Sequence, residues 1–148
     1  AWAKGPCPSG GGVARDVSLA DIDREALDLW RSLPSGAVVW LSGDLGAGKT
    51  TLVQAIARAA GATPARSPTF ALVHEYASPE GTIAHVDCYR LRRPDEALDL
   101  DLAALAARSR LTLIEWPERA GHFAPDPNVH VRLSHAARPE LRQLEHVT

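Results

Sequence analysis

The feature that most constrains this chain of 148 residues is a glycine-rich segment, residues 43–50, that reads Gly-Asp-Leu-Gly-Ala-Gly-Lys-Thr. It fills the phosphate-loop pattern G-x-x-x-x-G-K-[ST] completely. The apolar run before it, residues 37–41, predicts a buried strand, and residues 51–60 predict a helix with one apolar face. A strand, a glycine turn and a helix N-terminus together bind anions, because glycine lets backbone N–H groups turn inward and the helix dipole adds partial positive charge. The segment therefore predicts binding of a nucleoside triphosphate.

The same pattern assigns roles to individual residues of the loop. Lys49 is expected to reach the β- and γ-phosphates, and the Thr50 hydroxyl is expected to ligate Mg²⁺. Guanine-specific proteins usually carry an N/T-K-x-D segment, which this chain lacks, so we expect ATP as the nucleotide and Mg²⁺ as its metal ion. The nucleotide-binding residues that we predict in the loop and the first helical turn are Asp44, Leu45, Gly46, Ala47, Gly48, Lys49, Thr50 and Thr51.

A phosphate loop needs an acid at the end of a neighbouring strand to hold the metal ion or its waters. Glu115 follows the apolar run 111–114 directly, which is the sequence form of such an element. A carboxylate that leaves a buried strand requires a cation or a hydrogen-bond donor, so a functional role is favoured over a strand-end acid that faces water. We therefore predict Thr50 and Glu115 as metal ligands.

Asp87 is the second acid that fits this requirement. It stands between Val86 and Cys88, and the alternation of a strand points it to the face opposite to theirs. If that face meets the phosphates, Asp87 either ligates the metal through water or orients the attacking water. A salt bridge to Arg90 is the alternative. The catalytic residues that we predict are Lys49, Asp87 and Glu115.

Composition limits the remaining classes of function. A hydrophobic fraction of 45% over 148 residues suffices for the core of one small domain, and a formal net charge of -2 argues against a basic surface that grips nucleic acid unaided. No run is long and apolar enough to span a bilayer, and no signal peptide is evident, so we expect a cytoplasmic protein. Cys7 and Cys88 are expected to be unpaired, and no zinc-binding spacing appears.

Strand and helix patterns alternate along the chain, which predicts an α/β fold, a phosphate-loop NTPase-like sheet with helices on both faces. Helices are predicted at 21–33 and after Pro94, where Leu98, Leu102 and Leu105 share a face. A hairpin and further strands are predicted at residues 70–76 with 82–89, and at 13–19, 111–114, 128–133 and 141–147. We assign residues 13–148 to a single small ATPase domain, and residues 1–12 to a disordered tail or a cloning remnant.

Several other side chains leave alternatives open. Trp116 follows Glu115 directly and either stacks on the nucleotide or packs in the core. The six histidines are dispersed, and for each of them a surface or core role is favoured over catalysis. The basic cluster of Arg90, Arg92 and Arg93 is by default a solvated face, with contact to a partner protein or RNA as the alternative.

Four motifs in this order resemble one family. Beyond the phosphate loop at residues 42–52, they are Ser67-Pro68-Thr69-Phe70, His85-Val86-Asp87-Cys88-Tyr89-Arg90-Leu91 and Ile114-Glu115-Trp116-Pro117-Glu118. Together they are similar to the bacterial TsaE family, the ATPase component of tRNA threonylcarbamoyladenosine (t6A37) synthesis. The likeness runs from about Ser18 to about Val147. A phosphate loop alone would be unspecific, but the other three motifs at these separations are specific.

The resemblance implies roles that agree with those predicted above. Lys49 would bind phosphates, Thr50 and Glu115 would ligate Mg²⁺, and Asp87 would act near the γ-phosphate as a catalytic residue. Trp116 would lie beside the nucleotide site.

Two more positions enter through the resemblance only. It places Thr69 in a switch-like loop, where an ordinary proline turn is the alternative, and it matches Arg138 loosely to an arginine that the family tends to carry near its last strands.

The resemblance also implies partners. Family members act with a threonylcarbamoyl transferase of the sugar-kinase-like fold and with its inactive paralogue, and ATP hydrolysis resets that complex between turnovers. Contact with tRNA would then be indirect, and no membrane would be involved. Two other functions remain open, a small-molecule phosphoryl-transfer kinase and a nucleotide-dependent assembly module that requires no hydrolysis step.

Overall fold

A computed structural model describes residues 14–64 and 72–147 of the chain. The strands are β1 Arg15–Val17, β2 Ala37–Gly43, β3 Thr63–Pro64, β4 Val73–Ser78, β5 Gly81–Asp87, β6 Leu111–Glu115, β7 Val129–His135 and β8 Arg142–Val147. The α-helices are α1 Leu19–Ser32, α2 Lys49–Ala59 and α3 Leu102–Arg108. Short 3-10 helices lie at Pro94–Leu100, Pro117–Arg119 and Gly121–Phe123. None of the helices in these two ranges is long and apolar enough to cross a membrane.

The strands form one mixed sheet in the order β1-β8-β7-β2-β6-β5-β4-β3. Its centre is parallel, because β2 pairs in parallel with β6 and β7, and β6 pairs in parallel with β5. Both margins are antiparallel. The carboxyl ends of β2, β5 and β6 therefore meet at one edge, which is where open α/β sheets place their ligands.

Helices cover both faces of the sheet, as the sequence predicts. The face covered by α1 and α2, here called the α1/α2 face, takes alternate strand residues such as Val39, Leu41 and Leu113 into one core cluster. The opposite face, here called the α3 face, takes Val38 and Ile114 into a second cluster under α3 and the 3-10 helices. Each fully buried aliphatic side chain contributes about 1.5–3 kcal/mol relative to its exposed state.

Most predicted elements are confirmed. The helix predicted for residues 21–33 begins two residues earlier because Ser18 caps it, accepting from the Asp21 amide while the Asp21 carboxylate accepts from the Ser18 amide. The predicted hairpin is formed by β4 and β5, and β5 also pairs with β6 on its other side.

The helix predicted after Pro94 is wrong in part, because the chain breaks at Asp101. Residues Pro94–Leu100 form a 3-10 helix, and Asp101 then adopts φ 44 and accepts a hydrogen bond from the Ala104 amide to start α3. Leu98 does not share the buried face of Leu102 and Leu105, since it is 60% exposed. An aspartate that caps its own helix in the left-handed region interrupts a pattern that periodicity alone joins together.

Candidate active site

The phosphate loop spans the turn between β2 and α2 and is held by the end of β7. Gly43 has φ 123, and a Cβ at this position would overlap the Leu133 carbonyl oxygen, so only glycine fits. The Asp44 amide donates to the same Leu133 oxygen at 3.2 Å. His135, at the end of β7, places its Nε2 3.1 Å from the Leu45 carbonyl oxygen. The loop conformation therefore depends on β7 as well as on its own glycines.

The start of α2 is open to an anion. Gly48 is the N-cap residue with φ 105, and it offers no side-chain hydrogen bond to the first turn. The N–H groups of that turn, which includes Thr50 and the half-buried Thr51, are thus directed at the loop interior with the positive end of the helix dipole. Leu45 and Ala47 differ within the same loop, since Leu45 is 63% exposed and Ala47 is fully buried.

Lys49 is buried beneath the loop that it is predicted to serve. Its Nζ donates to the Gly43 carbonyl at 3.0 Å and to the Asp44 carbonyl at 2.7 Å. Burial lowers the pKa of the Lys49 ammonium, and the Glu115 carboxylate opposes that shift. The ammonium is therefore held in place by carbonyl oxygens that phosphate oxygens can replace.

Thr50 and Glu115, the predicted metal ligands, face each other. The Thr50 hydroxyl donates to Glu115 Oε2 at 3.4 Å, although the two residues are 65 positions apart in the chain. Glu115 ends β6 and is buried, whereas Thr50 is exposed. Parallel pairing of β6 with β2 places Glu115 beside Leu41, two residues before Gly43 of the loop. The pairing of the strands thus places the Glu115 carboxylate at the N-terminus of α2, the helix that follows the phosphate loop.

Asp87, the second predicted acid, lies opposite Glu115 in the parallel pairing of β5 and β6. Val86 and Cys88 belong to the core cluster of the α3 face, so Asp87 faces the α1/α2 side, as alternation predicts. Its Oδ1 accepts a hydrogen bond from the Tyr89 amide at 3.0 Å. Asp87 and Arg90 form no ion pair among the residues that the structure describes.

His85 belongs to the same group of side chains and was not predicted. Its Nε2 lies 2.5 Å from Glu115 Oε2, and both side chains are at least nine-tenths buried. His85 precedes Asp87 by two positions, so the two share one face of β5. That spacing and the place of His85 at the start of the motif at residues 85–91 are the signals in the sequence that point to it, and the spacing acquires meaning only when β6 is known to be the neighbour of β5.

Trp116 lies at the site and covers Lys49. The Lys49 Nζ is 4.6 Å from the centroid of the Trp116 ring, within the range of a cation–π interaction. Trp116 adopts φ 55, a left-handed conformation that is costly for a bulky residue, and its amide donates to the Leu41 carbonyl at 3.1 Å. Tyr89 and Arg119 also lie near Trp116: the Tyr89 and Trp116 ring centroids are 5.0 Å apart, and the Arg119 guanidinium carbon is 5.7 Å from the Trp116 centroid. Arg119 was also not predicted.

The predicted arginines lie on the surface. Arg90, Arg92 and Arg93 are exposed, and Arg93 pairs with Asp95. Arg138 is in the β7–β8 connection and pairs with Glu140. Thr69 lies outside the described residues.

The donor set fits a hard cation such as Mg²⁺. A carboxylate and a hydroxyl are oxygen ligands of the kind Mg²⁺ prefers; the carboxylate of Glu115 stands at the carboxyl end of β6 and the hydroxyl of Thr50 in the first turn of α2. Within the described ranges, no group of three or more His, Cys, Asp or Glu side chains is arranged to hold a metal ion. Since Mg²⁺ usually combines one or two protein ligands with substrate phosphates and water, two protein oxygens suffice here.

The fold defines the class of protein. A parallel-centred sheet, helices on both faces and a glycine loop between β2 and α2 make this an α/β phosphate-loop NTPase-like fold. The crystal structure of YdiB from Bacillus subtilis shares it, with a TM-score of 0.74, 22% sequence identity, and coverage of 93% of this chain and 85% of that one.

Within that class, the chain belongs to the TsaE family. The family model described as "Threonylcarbamoyl adenosine biosynthesis protein TsaE" matches residues 17–144. A Rickettsia bellii protein named "tRNA threonylcarbamoyladenosine biosynthesis protein TsaE" is 41% identical over 69% of this chain and 72% of its own length. A Nostoc protein of the same name is 39% identical over 72% of this chain and 68% of its own length. The resemblance found in the sequence is thereby confirmed.

Proposed function

We propose that this chain is a Mg²⁺-dependent ATPase that supports tRNA threonylcarbamoyladenosine biosynthesis by driving turnover of a threonylcarbamoyl transferase complex. Membership of the TsaE family supports the pathway. The observation that supports Mg²⁺-dependent ATP hydrolysis is the distance of 3.4 Å between Thr50 Oγ1 and Glu115 Oε2 beside the phosphate loop. Oxygen ligands at this position are what a nucleotide-bound Mg²⁺ requires in phosphate-loop proteins.

Lys49 would bind the β- and γ-phosphates. Its ammonium now donates to the Gly43 and Asp44 carbonyls, and exchanging these neutral acceptors for anionic phosphate oxygens strengthens both hydrogen bonds. Trp116 covers the ammonium from one side, and so limits its exposure to water. Charge at Lys49 thus acts in a partly desolvated site, where electrostatic stabilisation is strongest.

Asp87 would orient the attacking water. It lies beside Glu115 in the register of β5 and β6 but is only half-buried, so it is reachable by solvent. Mg²⁺ bound with ATP would supply charge that offsets the negative charge developing on the γ-phosphoryl. Glu115 and Thr50 would hold that ion, which leaves Asp87 free to accept a hydrogen bond from the nucleophile.

Partners are proposed to set the rate, namely a transferase of the sugar-kinase-like fold and its inactive paralogue. Around the site, Tyr89 is 38% exposed and Leu45 63% exposed, and the neighbouring Arg90 is exposed as well. These side chains give the open side of the site a surface that a protein can cover. A group supplied in trans raises hydrolysis by phosphate-loop proteins about 10³–10⁵-fold.

The test is phosphate release by the full chain, alone and with both partners, in Mg²⁺ and in EDTA. Activity is expected to be weak alone, to rise steeply with the partners and to vanish in EDTA. Thr50→Val should lose this activity because the hydroxyl is gone, while Thr50→Ser, which keeps it, should retain most. Full activity without partners, or equal activity of the two variants, would contradict the proposal.

Isotope labelling separates the ATPase from the two alternatives. With oxygen-18 water and γ-labelled ATP, the proposed enzyme should release inorganic phosphate that carries one solvent oxygen. Transfer of the γ-phosphoryl to a metabolite would identify a kinase. Full support of the transferase by a non-hydrolysable ATP analogue would identify an assembly module instead.

A further inference from the structure

The side chain of His85 has no role in the proposed function, although it is buried beside Glu115. Its Nε2 is 2.5 Å from Glu115 Oε2, and side-chain exposure is 8% for His85 and 5% for Glu115. Burying a carboxylate is costly unless donors satisfy it. Among the residues that the structure describes, His85 is the basic side chain in ion-pair contact with Glu115. The histidine therefore stabilises a carboxylate that would otherwise be poorly solvated.

One oxygen of Glu115 accepts from two side chains in the described part of the chain. Oε2 lies near the His85 ring at 2.5 Å and near the Thr50 hydroxyl at 3.4 Å. A carboxylate only accepts hydrogen bonds, so the proton of this contact is on His85 Nε2. Two hydrogen bonds to one oxygen restrict the rotation of the carboxylate about its last bond.

The ring of His85 is itself fixed. It stacks on His74, its cross-strand neighbour in the pairing of β4 and β5, with 5.9 Å between ring centroids and 29° between planes. On the other side, β5 pairs with β6 and sets His85 opposite Leu113. A donor on a rigid strand holds its acceptor more precisely than a donor on a loop does.

We propose that His85 is a positioning residue for the metal site: it donates from Nε2 to Glu115 and presents that carboxylate to the divalent cation held with Thr50. The inference rests on the proposed function, since it presupposes that Glu115 and Thr50 hold the cation. Loss of a hydrogen bond to a ligating carboxylate commonly lowers metal affinity about 10–100-fold.

The test compares two amide replacements in the full chain. His85→Gln keeps an N–H donor at the distance of Nε2, whereas His85→Asn carries the same amide one methylene short. Mn²⁺ affinity is measured by electron paramagnetic resonance in the presence of a saturating non-hydrolysable ATP analogue. Nucleotide affinity in EDTA is measured alongside, so that loss of metal binding is separated from loss of the phosphate site.

His85→Asn is expected to weaken Mn²⁺ binding about 10–100-fold with nucleotide affinity in EDTA unchanged, and His85→Gln to recover most of the loss. In a Glu115→Ala background, His85→Asn should add nothing, because a residue that acts through Glu115 has no effect without it. His122→Asn is the control. His122 is exposed and packs against Phe123 in the 3-10 helix Gly121–Phe123, and its replacement is expected to leave Mn²⁺ affinity unchanged.

Three outcomes would overturn the inference. These are wild-type Mn²⁺ affinity in His85→Asn, equal losses in the Gln and Asn variants, and additivity with Glu115→Ala. If Glu115→Ala itself binds Mn²⁺ normally, the metal site of the proposed function fails and this inference fails with it. If Glu115→Ala is impaired but His85→Asn is not, only this inference fails.

Discussion

The two faces of the sheet carry different kinds of polar group where β5 and β6 end. On the α1/α2 face stand His85, Asp87 and Glu115: His85 and Thr50 of α2 contact Glu115, and Asp87 lies opposite Glu115 in the strand register. On the α3 face, alternate positions of the same two strands are filled by Val86 and Ile114 in a core cluster. Adjacent residues of one strand therefore differ in role, since one side chain faces the candidate site and the next packs in the core.

Polar groups on the α3 face of these strands are of a different nature. Cys88 is fully buried as a free thiol, and burial raises its pKa to about 12. Thr112 is fully buried, and its Oγ1 lacks a hydrogen-bond partner within the part of the chain that the structure describes. Neither group is placed to ligate or to transfer a proton. The comparison predicts that substitutions on the α1/α2 face change turnover, and that those on the α3 face change stability.

The largest effect is expected from Glu115→Ala. Removing one preorganised electrostatic group typically costs about 10²–10³-fold in turnover, and we expect about 10³-fold for ATP hydrolysis by the partner complex. Ile114→Val is the control on the neighbouring residue, which faces α3 and is fully buried. It should cost about 0.5–1.5 kcal/mol of unfolding free energy and leave turnover unchanged. Steady-state phosphate release and thermal unfolding of both variants check this, and a loss of turnover in Ile114→Val would break the comparison.

Asp87→Asn should have the next largest effect. The amide keeps the shape and can accept the Tyr89 amide hydrogen bond, but it is a poor acceptor for a proton or for an orienting hydrogen bond from water. We expect turnover to fall about 10²-fold with less than a threefold change in nucleotide affinity, since general-base groups contribute about 10²–10⁴-fold. Single-turnover kinetics and nucleotide binding measure the two quantities separately. Normal single-turnover hydrolysis in the assembled complex would remove Asp87 from the catalytic residues.

Local patterns were sufficient to predict most of the fold and the loop. The strand β2, the phosphate loop and α2 are contiguous, and hydrophobic period and glycine spacing are local signals. Asp87 was also predicted to lie on the face of its strand opposite to Val86 and Cys88, because the alternation of a strand is a local signal. The break at Asp101 was missed since a single residue with φ 44 leaves the apolar spacing of its neighbours intact.

Contacts between distant parts of the chain could not be predicted in the same way. His85 and Glu115 are 30 positions apart, and they meet because β5 and β6 pair in parallel with one specific register. A one-residue change in strand register would place every one of these side chains on the other face.

Cys88 is expected to be unreactive in the native protein, in contrast to the solvent-reachable Asp87 beside it. With its pKa raised from 9.0 to about 12 by burial, the thiol is protonated at pH 8.5, and thiol reagents attack the thiolate. In a Cys7→Ser background, mass spectrometry should show labelling by iodoacetamide only under unfolding conditions. Fast labelling of the folded chain would contradict the burial.

The same pKa shift predicts a pH dependence with a definite sign. The folded pKa of Cys88 lies above the unfolded value, so its contribution to stability is complete below pH 9. Between pH 9 and about 12 the unfolded chain releases the thiol proton and the native chain does not, so the free energy of unfolding falls. Cys88→Ala should remove this part of the alkaline slope in denaturant titrations, although it lowers stability at pH 7.

Thr112→Val should give the smallest effect and the opposite sign. It replaces Oγ1, which has no hydrogen-bond partner among the described residues, by a methyl group of similar size at a fully buried position, so the cost of burying that hydroxyl is removed. We expect the free energy of unfolding to rise by about 1 kcal/mol and Tm by about 2–4 °C, with ATP hydrolysis unchanged because Thr112 faces α3 rather than the loop. Thr112→Ser is the matched control, since it keeps the hydroxyl and loses the methyl group, and it should be less stable than the original chain. Destabilisation by Thr112→Val would mean that a buried water is hydrogen-bonded to the hydroxyl. The α3 face would then be stabilised by a hydrogen bond at this position as well as by apolar packing.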